Sequence, residues 1–134
     1  MQLSITTDYG IRVVLYLIKH RQIVKSTKLS EELNIPKNYI LKVTKKLEEA
    51  GIVNIYQGVN GGIKIKKDIH EITLWDVIST LETTTEINKC LEKEGCCTKG
   101  SNGFCRVRDV YVVLQQAVED RLQSIKLIDL IEDN

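Results

Sequence analysis

With 134 residues, 43% apolar and 28% charged, the chain is sized for one compact unit with a real core, and its single proline and eight glycines exclude collagen-like or extensively disordered stretches. The longest apolar run, Val13 to Ile18, has six residues, against the ~20 that a bilayer crossing needs, and no charged-then-apolar leader opens the chain, so a cytoplasmic protein without membrane association is expected. The formal charge of +1 hides an asymmetry: residues 1–70 carry twelve Lys or Arg against six Asp or Glu, net +6, while residues 71–134 carry seven against twelve, net -5. A polyanion is therefore expected to meet the first half, where clustered cations can displace counterions from phosphates.

Residues 3–20 are expected to form a helix, because Ile11, Val14, Leu15 and Ile18 recur at three- and four-residue spacing. Ser26 can cap a short second helix with Leu29 and Leu33 as its stripe, and Asn34 and Ile35 make a break. Pro36 sits at or beside the start of a third helix, where its missing N–H costs nothing. Ile40, Val43, Leu47 and Ala50 form that helix's apolar stripe, and Gly51 stops it. Ile52 to Tyr56 and Ile63 to Lys67 look like two short strands around a polar, glycine-rich tip. Thr73 can cap a further helix through Leu81, after which Thr83, Thr84 and Thr85 break the periodicity. From Arg106 an apolar stripe through Val107, Val110, Leu114, Val118, Leu122, Ile125 and Ile128 predicts a helix of about seven turns, roughly 35 to 40 Å. So long a helix needs a partner for its stripe, and a second copy of the chain is the simplest one.

A short helix, a tight break, a second helix and a hairpin follow the order of a winged helix-turn-helix. The fold class is thus mainly α with a small β wing, with residues 1–70 as the DNA-binding domain and residues 71–134 as a sensing and dimerisation region. With Ile40, Val43 and Leu47 inward, the third helix leaves Lys37, Asn38, Tyr39, Lys42, Lys45 and Lys46 on its other faces. Asn can pair bidentately with adenine, and Lys can reach guanine or phosphate. Candidate DNA contacts are Lys28, Lys37, Asn38, Tyr39, Lys42 and Lys46 from the helices and Gln57, Asn60 and Lys64 from the wing. Individually each lysine also reads as a solvated surface residue, and Asn-Gly is a hairpin signal in any context.

All four cysteines, Cys90, Cys96, Cys97 and Cys105, fall within sixteen residues. In a chain without a secretory leader, such density points to a metal or redox site before a disulfide framework. The spacings are five or six residues and then eight or seven, unlike the closely paired knuckles of structural zinc sites, and Gly95, Gly100 and Gly103 lie between them. Such a loop can wrap something larger than one tetrahedral ion. Neighbouring Cys96 and Cys97 point in different directions in most backbones, so one is expected to be a ligand and the other a bystander or a redox thiol. Three thiolates leave one iron of a cubane cluster open to a carboxylate, His or water, and so open to small molecules.

Taken in order, TTDYGIRVVLYL, LSEELNIPKNYILKVTKKLEEAGIV, QGVNGGIKI, ITLWDVISTLE and a cysteine loop closing with CRVR resemble the Rrf-type winged-helix regulators, a family that includes IscR, NsrR, RirA and CymR types. The resemblance covers essentially the whole chain. It implies a homodimer with crossing C-terminal helices, two winged units on a palindromic operator in double-stranded DNA, and an iron-sulfur cluster near the dimer interface, four-iron favoured over two-iron. Within the family the nitric-oxide-sensing NsrR type is nearest: Asp8 stands where that type supplies a carboxylate ligand from the opposite protomer, and Arg108 stands where the IscR type has a ligating His. Candidate metal ligands are therefore Cys90, Cys96, Cys97, Cys105 and Asp8. Asp8 also reads as an ion-pair partner of Arg12, one helical turn away. Two departures stand out. The middle and last cysteines are farther apart than is common in the family, and Gln57 occupies the wing position where the family often has Arg. The expected function is a transcription repressor under iron-sulfur control, responding to nitric oxide or to cluster status. The alternative is a winged-helix regulator working by zinc or a thiol switch. A redox enzyme is disfavoured, because neither a cofactor-binding glycine motif nor a Cys-x-x-Cys pair accompanies the thiols.

Overall fold

The computed structural model describes residues 2–92 and 105–132. Helix α1, Ile5–Lys19, opens at Ser4, whose hydroxyl accepts from the Thr7 amide at 3.2 Å and so satisfies one of the orphan donors of the first turn. Its buried face is Thr7, Gly10, Val13, Val14, Leu17 and Ile18, with Ile11 and Leu15 only partly covered. The expected stripe is thereby rotated, because α3 and α4 both pack on this helix.

Helix α2, Ser26–Leu33, begins one residue earlier than a Ser26 cap would allow: Lys25 is its N-cap, and no side chain caps it. Asn34 ends it in the left-handed conformation (φ 53°), and the Ser30 hydroxyl donates to the Ile35 carbonyl at 2.6 Å. This is the tight break from which α3, Lys37–Glu49, leaves, with Pro36 as its N-cap. Ile40, Val43, Thr44 and Leu47 are the buried face of α3; Ala50 is its exposed C-cap and not part of the stripe.

Strands β1, Val53–Tyr56, and β2, Gly62–Ile65, pair antiparallel with Val53 opposite Ile65 and Tyr56 opposite Gly62. The hairpin is tied to the segment between α1 and α2 by two backbone bonds between Val24 and Ile63, 2.9 and 2.8 Å. Gly62 (φ +151°) makes this possible, since a Cβ there would lie 2.6 Å from the Val24 carbonyl oxygen.

Helix α4, Leu74–Leu81, carries a full capping box in which Thr73 and Asp76 bond each other's backbone amides. Lys67 adds an ammonium 3.0 Å from the Asp76 carboxylate. Helix α5, Arg106–Ser124, has nineteen residues, not the seven turns expected from its stripe. At Ile125 the chain turns extended: the Leu74 amide donates to the Ile125 carbonyl at 2.8 Å and the Leu127 amide to the Ile72 carbonyl at 3.0 Å. Burial of Leu127, fully covered in the core, outweighs continuation of the helical pattern. Ile125 and Ile128 therefore lie beyond the helix.

One core holds these parts together. Val13, Leu17, Ile40, Val43, Leu47, Ile72, Val77 and Leu127 are all without solvent exposure and belong to one cluster. Residues from both sides of the division expected at residue 70 fill the same interior.

Candidate nucleic-acid interface and cysteine segment

On a helix, successive side chains advance by about 100°, so the buried face of α3 turns Asn38, Lys42 and Lys45 directly outward. All three are exposed, as is Lys37 at the first turn. Leu41 and Glu48 flank this face on the wing side, and with Lys45 they line a cleft of about 650 Å3 between α3, the start of α2 and the wing. Lys25, Ser26 and Thr27 form its α2 side, and Tyr56, Gln57 and Gly58 its wing side. The uncapped N-terminus of α2 thus presents free backbone N–H groups at the cleft, a favourable setting for phosphate. The Glu48 carboxylate accepts from the Ile55 amide of β1 at 2.7 Å, fixing the wing's angle to α3.

The expected contacts divide on these coordinates. Gln57 lines the cleft, while Asn60 and Lys64 are exposed elsewhere on the hairpin. Tyr39 is half-buried, its ring edge-on to Tyr9 of α1 at 5.1 Å between centroids. Lys46 is likewise half-buried, and Lys28 lines a separate hollow beside Glu31 and Glu32. Lys25 and Lys45, absent from the expected contact set, both line the cleft. For Lys45 the signal was present in the sequence, because it shares a helical face with Asn38 and Lys42.

At the start of α1, Asp8 and Arg12 form the expected ion pair, 3.2 Å apart. The Arg12 guanidinium also lies over the Tyr9 ring, 5.0 Å from its centroid. Asp8, Arg12, Tyr9 and Tyr39 therefore make a chain of contacts that ends on α3.

Of the four cysteines, Cys96 and Cys97 lie outside the described residues. Cys90 stands in a short 3-10 turn, Lys89–Leu91, and its sulfur accepts from the Asn88 side-chain amide at 3.0 Å. Cys105 is the N-cap of α5, its sulfur accepting from the Arg108 amide at 3.5 Å. Both are half-buried and free of disulfides. Among the described residues no three His, Cys, Asp or Glu side chains converge as a metal site.

Gln115 had no sequence signal. It is the one buried residue of α5, where its carbonyl accepts from the Ile87 amide at 2.7 Å and its amide donates to the Thr85 carbonyl at 2.9 Å and to Glu119 at 3.1 Å. Those bonds hold the segment leading into Cys90 against the helix that begins after Cys105. The rest of α5 exposes Val107, Val110, Val112, Val113, Leu114 and Val118. No helix among the described residues is long and apolar enough to cross a membrane.

A family model described as Rrf2, iron-dependent transcriptional regulator, matches residues 3–133. Among solved structures, a Listeria innocua protein assigned as a transcriptional regulator superimposes with a TM-score of 0.78 at 25% identity, covering 97% of this chain and 85% of that one. CymR, the global cysteine regulator of B. subtilis, gives 0.77 at 23% identity, covering 97% and 95%. IscR of T. potens gives 0.76 at 21% identity, covering 97% and 85%. These likenesses agree with the helical fold and its two-stranded wing.

Proposed function

Because the chain belongs to the Rrf2 family of iron-dependent transcriptional regulators, and is thus a regulator and not an enzyme, we propose that it is a cytoplasmic homodimeric repressor whose operator binding is set by an iron-sulfur cluster held in the segment from Cys90 to Cys105. The observation that carries the DNA half of this reading is the cleft between α3, α2 and the wing, with Lys25 and Lys45 on its walls and Asn38 and Lys42 on the adjoining outward face. Lys37, Asn38 and Lys42 enter the major groove, and Gln57, Asn60 and Lys64 follow the backbone or minor groove. A palindromic operator follows from two such units in a dimer.

For the sensing half, the two described thiols support the reading because each sulfur accepts an N–H hydrogen bond, an arrangement that suits a thiolate ligand. Cys90 and Cys105 would hold the cluster together with Cys96 or Cys97. Asp8 of the opposite protomer would be the non-thiolate ligand, as in the NsrR type. When bound, the cluster would supply an iron with one non-thiolate ligand, the natural point of attack for nitric oxide. What the chain itself contributes is coupling. Asp8 touches Arg12, Arg12 stacks on Tyr9, and Tyr9 meets Tyr39 of α3. A change in the partner of Asp8 therefore reaches the recognition helix through packed side chains.

The test is iron and sulfide analysis of anaerobically purified protein. The wild type is expected to be brown with both elements present, and Cys90→Ala and Cys105→Ala to be colourless. Variants retaining full iron and sulfide would remove these residues from the ligand set. The second reading is a zinc- or thiol-switch regulator without a cluster, in which Cys96 or Cys97 forms a disulfide; zinc or no metal in place of iron and sulfide in the same analysis would favour it over the cluster.

A further inference from the structure

Leu41 is the one exposed large apolar side chain on α3, with 53% of its surface open to solvent. It adds little to the interior, which Ile40, Val43 and Leu47 fill from the opposite face. Its neighbours on the outward side, Asn38, Lys42 and Lys45, are all hydrogen-bonding groups, and it stands one helical turn before Lys45 on the wall of the cleft. The fold gains nothing from placing a leucine there in contact with water, so its chemistry is free for a ligand.

We propose that Leu41 selects thymine at one position of each operator half-site by packing against the 5-methyl group. This rests on the reading that α3 enters the major groove. Leucine neither donates nor accepts a hydrogen bond, so it cannot distinguish the donor and acceptor patterns of the base edges. The one major-groove feature that rewards an apolar side chain is the thymine methyl. Leu41 borders the outward face that carries Asn38, Lys42 and Lys45, and its position in the first turns of α3 is where base edges come within reach. The effect belongs to Leu41 alone on this helix, because every other exposed side chain of α3 is polar or charged.

The experiment uses the full chain, purified anaerobically, to enrich duplexes from a random-sequence DNA pool. Each thymine of the enriched site is then replaced singly by deoxyuracil, which removes only the methyl. The wild type is expected to lose affinity at one symmetry-related position by about four-fold, the worth of one buried methyl group. Leu41→Ala, whose melting temperature should be unchanged because the side chain is exposed, is expected to bind the thymine and deoxyuracil duplexes equally. Leu41→Met is expected to keep the methyl dependence. Equal penalties in wild type and Leu41→Ala, or a site where no thymine methyl matters, would overturn the assignment and leave DNA binding intact. Failure to enrich any duplex would overturn the DNA-binding reading first, and this inference with it.

Discussion

Asp76 shows how one side chain can serve both a helix end and the response to acid. Burial alone would raise its pKa, but the Thr73 amide and the hydrogen bond and charge of Lys67 outweigh it and hold the carboxyl below its ordinary value of 3.8. A group depressed on folding contributes stability in full above its unfolded pKa and loses it as the pH falls through the folded one. Asp76→Ala is therefore expected to lower stability at neutral pH by about 1 kcal/mol, the usual worth of a helix cap. Thermal melts of wild type and variant should converge below pH 3.8; a gap independent of pH would contradict this. Gln115 makes a second prediction. Gln115→Leu leaves the Ile87 amide and Thr85 carbonyl without their partners, at an expected cost of about 1–3 kcal/mol, and Ile87 should lose hydrogen-exchange protection while the amides of α3 keep theirs. Unchanged exchange at Ile87 would mean that the clamp does not hold the cysteine segment.

At the scale of elements, the helix order was legible where a boundary has a local cause, which the uncapped start of α2 lacks. Asn34 is left-handed, Pro36 opens α3, and the capping box of Thr73 and Asp76 opens α4. The end of α5 was not, since Ile125 and Ile128 keep a helical spacing and only the pairing of Leu127 with Ile72 reveals that the chain has turned extended. Nonlocal burial has no signature in a periodic pattern. The same holds for α1, where Gly10 lies under α4: its spacing says nothing, yet a Cβ there would collide with the Leu81 side chain. Gly10→Ala is expected to destabilise the protein by about 1–3 kcal/mol through forced repacking, measured by denaturant unfolding, and an unchanged midpoint would show that Leu81 yields freely. The candidate site divides in the same way. The face bearing Asn38 and Lys42 follows from helical geometry, whereas the cleft with Lys25 and Gln57 exists only once the wing is pinned to Val24.

At the scale of the whole molecule, two surfaces of the described residues stand out, the lysine-bearing cleft between α3, α2 and the wing and the apolar side of α5. The exposed Val107, Val110, Leu114 and Val118 lie at successive turns, as a helix seeking a partner requires. In the dimer that we propose, Val110→Glu with Leu114→Glu is expected to give a folded monomer by analytical ultracentrifugation, because neither residue belongs to the core, and to weaken operator binding by losing the second half-site. A dimer that survives both substitutions would place the interface elsewhere. Asp8, Arg12, Tyr9 and Tyr39 link the start of α1 to α3, and the Gln115 clamp ties the segment before Cys90 to α5; in the regulator that we propose, the cluster acts on the recognition helix through the first of these and on the dimer helix through the second. The most direct test of the account is operator affinity measured anaerobically on cluster-loaded protein before and after nitric oxide, with iron and sulfide assayed in the same samples. Tight binding that falls by at least an order of magnitude on exposure is the predicted result, and equal affinity in the two states would contradict control of DNA binding by the cluster.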